Sequence, residues 1–120
     1  MKNLFILFMA AAIGNAQHGH DDTGKQMTIT GLVVDTGCFL SHDTKGTKHG
    51  TCATACAKAG VPLAILEEAS GTLYLPVAVD HKNQNAKLMS FIEKKVRVTG
   101  TIVEKGGLKG INIKTVEGLK

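Results

Sequence analysis

Cys38, His49, Cys52 and Cys56 crowd into about 19 residues, and the chain has no other cysteine. Three sulfurs and one ring nitrogen are the donor inventory of a tetrahedral Cys3His site. Thiolate donors favour soft or borderline ions, so the metal expected is Cu(I) or Zn2+ and not a hard cation. Cys52 and Cys56 are four residues apart, which puts them on one face if their segment is helical. His49 lies three residues before Cys52 and joins that face if the helix reaches back to it. Cys38 follows an apolar run, from which a loop can return it over the helix.

The same residues admit two other chemistries. Cys38 could pair with Cys52 or Cys56 in a disulfide that ties down the intervening segment and leaves one thiol spare. Cys52 or Cys56 could instead serve thiol redox chemistry, although neither the C-x-x-C spacing nor the C-x-x-C-H haem attachment pattern occurs. His42 is an alternative fourth ligand to His49. His18 and His20 stand near the expected new N-terminus; if the mature chain began just after Gln17, His20 would be third and could chelate Cu(II) with the terminal amine. His81 reads as a surface residue. Asp35 suits either a turn or the orientation of a ligating histidine.

A nucleophilic cysteine needs a base and an orienting group, and Cys52 with His49 or His42, and Asp35 as orienter, could supply them. No surrounding motif supports that arrangement. The carboxylate pairs Asp21-Asp22 and Glu67-Glu68 fall in a polar lead-in and a turn. The glycines Gly106, Gly107 and Gly110 fall in a hairpin with no helix after them, so no phosphate loop is present. Catalysis is not expected.

The elements that must position the cysteines read as follows. Met27–Asp35 alternates and is rich in β-branched residues, as a strand requires. Cys38–Gly50 is polar and reads as a loop. Thr51–Ala59 is alanine-rich and stops at Gly60, which predicts a short helix. Val61–Leu66 and Thr72–Val79 form a hairpin around a polar loop. Asn83–Lys94 carries Leu88, Met89 and Ile92 with asparagines available as caps, which predicts a second helix. Val96–Glu104 and Leu108–Val116 complete a last hairpin. Thr30–Gly37 (TGLVVDTG) and Thr99–Gly106 (TGTIVEKG) echo each other, with Gly31 and Gly100 set where two strands must bend sharply.

Five strands, with a helix between the third and fourth, resemble the OB fold. The pattern V-x-x-x-C followed by H-x-x-C-x-x-x-C, here Val34 to Cys38 and His49 to Cys56, also resembles that of small exported bacterial proteins. The resemblance implies a fold and carries no activity. The expected architecture is mainly β with two short helices: a small five-stranded OB-like barrel over residues 26–118, with a Cys-rich helical insert at 36–60 after the first strand.

Residues 1–16 (MKNLFILFMAAAIGNA) combine a lysine, a short apolar run and small residues before Gln17, the pattern of a secretory signal peptide cleaved near Ala16-Gln17. That run is too short for a membrane span, which takes roughly 20 residues. Residues 17–25 form a polar lead-in. The chain's 120 residues allow one domain, and 43% hydrophobic content favours a folded one. The +4 net charge is spread among lysines with few aromatics between them, which argues against nucleic-acid binding. The function expected is periplasmic or secreted metal carriage, buffering or delivery, with a metal ion and another exported protein as partners and no stable membrane insertion. A non-metal module stapled by one disulfide, and a thiol-redox accessory protein, are the alternatives.

Overall fold

The computed structural model describes residues 24–120. The signal peptide expected at 1–16, most of the lead-in, and His18 and His20 lie outside the described residues. The described chain runs β1 (Lys25–Asp35), α1 (Thr36–His42), a 3-10 turn (Thr47–His49), α2 (Gly50–Lys58), β2 (Leu63–Glu67), β3 (Leu73–Pro76), a second 3-10 turn (Met89–Phe91), β4 (Lys95–Lys105) and β5 (Leu108–Gly118).

The strands close a barrel in the order β1-β2-β3-β5-β4, with β4 returning to β1. Every pairing is antiparallel except β3 with β5. The molecule is therefore a small OB-like barrel with a helical insert after its first strand. Alternate residues of β1 face inward, and Ile29 and Val33 meet Leu63, Ile65, Val96 and Val98 in the core. Near its end the alternation stops, and Val33, Val34 and Asp35 are all buried. Both helices of the insert pack against β1.

Gly31 sits where β1 serves two neighbours, opposite Glu67 of β2 and Val96 of β4. A Cβ there would stand 2.2 Å from the Leu66 carbonyl oxygen. Gly100 sits at the β4–β5 bulge, and a Cβ would come within 2.3 Å of the Asn112 carbonyl oxygen. Both glycines thus allow strands to cross closely where the barrel turns, as their place in the echoed sequences implies. Gly31→Ala is expected to lower stability by about 1–3 kcal/mol, because backbone must shift to admit the methyl group. Chemical denaturation of the two proteins measures the difference.

Two elements differ from the sequence expectation. Residues 38–50 are not a simple loop, because α1 occupies Thr36–His42. Asp35 caps that helix, its Oδ1 accepting the Cys38 amide at 2.9 Å, and Asp43 closes it in the left-handed conformation at φ 50°. No residue of α1 is buried, so it has no apolar periodicity to betray it.

Residues 83–94 are a series of turns containing only a single 3-10 turn, so both α-helices among the described residues lie in the insert. Asn85 does not cap a helix there. Buried, it accepts the Leu63 amide at 2.8 Å and donates to the carbonyls of Val61 and Ala57 at 2.9 and 3.3 Å. Its side chain bonds the start of β2, the connecting Val61 and the end of α2, and this holds the crossing chain against them.

Candidate metal centre

Helix α2 turns two stripes in different directions. Ala53 and Ala57, four residues apart, are buried against the barrel. Cys52 and Cys56 each precede one of them by a residue, about 100° around the helix, and form a stripe along the edge of that contact. Cys38, in the first turn of α1, meets this stripe. The Sγ atoms of Cys38, Cys52 and Cys56 all lie within 4.8 Å of one another. Cys38 and Cys56 are half-buried and Cys52 is exposed.

All three cysteines are free thiols, so the insert is not stapled by a disulfide between Cys38 and either of the others. Packing of Ala53 and Ala57, the Asp35 cap and the Asn85 bonds hold it in place. Metal–sulfur bonds of about 2.3 Å need sulfurs about 4 Å apart. The cluster is already close to that spacing, and small side-chain rotations complete it.

Beneath the cluster lies a buried hydrogen bond between His49 and Asp35. The side chain of His49, just before α2, is 9% exposed and that of Asp35 is 0% exposed, and Nε2 and Oδ2 are 2.7 Å apart. Burial pushes the Asp35 carboxyl up, but the Cys38 amide and His49 outweigh it and hold the group below its ordinary 3.8. An ionised carboxylate has no proton to give, so the ring donates from Nε2. Asp35, Cys38 and His49 form a second close group within 4.8 Å, sharing Cys38 with the thiol cluster.

The structure therefore gathers all four residues expected at the site. It gives His49 to Asp35 and Cys38, however, and not to the three sulfurs together. His42 is exposed at the end of α1 and joins neither group. His81 is exposed, as a surface residue should be.

Glu93 is a residue that the sequence did not single out. It is 3% exposed, has φ 56°, and accepts the Gly46 amide on Oε2 at 2.6 Å. Its other oxygen, Oε1, is buried and has no hydrogen-bond partner among the described residues. Burial is the main cause that raises its carboxyl above the ordinary 4.5, with Asp35 adding to it and Gly46 and His49 opposing. Glu93 straps the loop before His49 to the barrel. Its own amide donates to the Val33 carbonyl at 2.8 Å, fixing the strap to the end of β1. Nothing local in a Phe-Ile-Glu-Lys-Lys run marks its glutamate as the one turned inward.

Burial, the Asp35 charge and the neighbouring thiols push the Cys38 thiol up to about 12. Burial and Asp35 also raise Cys56 above its ordinary 9.0. These are the reverse of the shifts that activate a redox or catalytic cysteine. They suit a metal site, because a cation supplies the positive charge that the clustered sulfurs lack. Raised thiols hold their protons at neutral pH, and a metal must displace them. Higher pH removes that competition, so affinity rises with pH. With two protons released per ion, binding at pH 8 is expected to be about 10,000-fold tighter than at pH 6. Competition with a chelator of known pH dependence, together with proton release into weak buffer, checks this.

No family model, curated protein or solved structure matches the chain. Among the described residues, no helix is long and apolar enough to cross a membrane.

Proposed function

We propose that this chain is an exported metal-binding protein that carries, buffers or delivers a soft metal ion, copper or zinc, through its thiol cluster. The observation that supports this most is the convergence of Cys38, Cys52 and Cys56 within 4.8 Å as free thiols. Three clustered thiols match the donor preference of Cu(I) and Zn2+. Exposure of Cys52 suits carriage better than a closed structural site, because an incoming ligand from a donor or acceptor protein can approach the metal from that side. Export rests on residues 1–16, whose lysine, apolar run and small residues before Gln17 have the form of a cleaved signal.

Elemental analysis of the protein isolated from its own host tests the proposal, with intact mass measured on the same sample. The expected result is about one copper or zinc per chain and a mass lacking residues 1–16. A chain that retains Met1 overturns export. A chain without metal that also takes up none on reconstitution overturns the metal function.

A further inference from the structure

The proposed function leaves open which metal is carried and what His49 does, and the donor geometry bears on both. Zinc sites close tetrahedrally with four donors, whereas Cu(I) is satisfied by three thiolates in a trigonal plane. Among the described residues, the only histidine in a close group with a cysteine of the cluster is His49, which lies within 4.8 Å of Asp35 and Cys38 but not of all three sulfurs. Two contacts keep the ring where it is. Its Nε2 donates to Asp35 at 2.7 Å, and the other oxygen of that carboxylate is held by the Cys38 amide at 2.9 Å. The loop leading into His49 is in turn strapped by Glu93 through Gly46 at 2.6 Å. Asp35 is fully buried, so the pair cannot swing out without dismantling the α1 cap.

We infer that the site is a three-coordinate thiolate cup for Cu(I), formed by Cys38, Cys52 and Cys56, in which His49 is a positioning residue and not a ligand. This rests on the metal-carrying function proposed above. His49 locks Asp35, Asp35 locks the first turn of α1, and that turn sets Cys38 against the stripe on α2. The negative charge of Asp35 beside Cys38 adds attraction for a cation without occupying its coordination sphere. A zinc ion in the same cup has to complete its sphere with solvent, which leaves it the weaker guest.

The test uses the chain without residues 1–16, reduced and loaded with one equivalent of Cu(I) from a bicinchoninate buffer. X-ray absorption is expected to show three sulfur neighbours and no imidazole signal. Cu(I) is diamagnetic, so nitrogen NMR of the same sample reads the His49 ring directly, and neither ring nitrogen is expected to take a coordination shift. Equimolar Cu(I) is expected to displace bound Zn2+, and a tenfold excess of Zn2+ to displace no Cu(I). A His49 nitrogen in the copper sphere, or Zn2+ displacing Cu(I), overturns the three-coordinate Cu(I) cup while leaving metal carriage standing. Failure to bind either ion, or binding that persists after all three thiols are alkylated, overturns metal carriage at this site and the cup with it.

Discussion

Cys56→Ser is expected to weaken metal binding by at least about 100-fold while leaving the barrel folded. A hydroxyl is a poor ligand for a soft ion, and the remaining two thiols cannot complete even a trigonal sphere. Cys56 is half-buried at the edge of the α2–barrel contact, and the core is made by Ala53 and Ala57 on the adjoining stripe. Serine is close to cysteine in size and keeps the helix intact, so the loss should fall on the metal and not on the fold. Titration with Cu(I) or Zn2+ gives the affinity, and circular dichroism with a melting curve gives the fold. A variant that binds as well as the parent removes Cys56 from the site. A variant that melts far below the parent in the absence of metal assigns Cys56 a structural role, as the disulfide alternative requires.

Asp35→Ala is the substitution expected to damage the folded state most, by about 2–5 kcal/mol, from a lost helix cap together with a buried ring left without its acceptor. It removes the cap of α1 and leaves a mostly buried His49 without its partner. Urea denaturation measures the loss, and Asp35→Asn, which keeps a cap acceptor, should retain part of the stability. The pH dependence has a definite sign. Asp35 lies below its ordinary value in the folded chain, so its stabilisation is present above about pH 4. It is lost as pH falls through the lower folded value. Glu93 acts in the opposite sense: raised above 4.5, it opposes folding at neutral pH and stops doing so as it protonates. Glu93→Gln is therefore expected to remove the gain in stability on mild acidification, so that the profile only falls toward low pH, whereas Asp35→Asn removes much of that fall.

The strands were legible because a small barrel demands alternation, and Met27–Asp35, Val96–Glu104 and Leu108–Val116 display it. Gly31 and Gly100 could be picked out because a glycine inside a valine-rich strand has few other uses. Two segments were not legible. Helix α1 buries no side chain, so no periodic signal distinguishes it from a loop; it exists because Asp35 caps it. In 83–94 the asparagines have the composition of helix caps, yet Asn85 bonds to Leu63, Ala57 and Val61, partners far away in the chain. Local propensity yields there to long-range polar satisfaction.

For the site, the spacing of Cys52 and Cys56 was enough to predict a shared helix face, because helical geometry is local. The sequence by itself determined the donor types, their confinement to one insert after the first strand, and the barrel that carries it. Only the tertiary structure decided that Cys38 closes on the α2 stripe, that the three thiols are free, that His49 is bound to Asp35, and that Glu93 straps the loop. The reason is physical. Residue type and short spacing fix chemistry and helical phase, whereas partners 14 or 47 residues apart, such as Asp35 with His49 or Gly46 with Glu93, are chosen only when the barrel closes and buried polar groups must find partners.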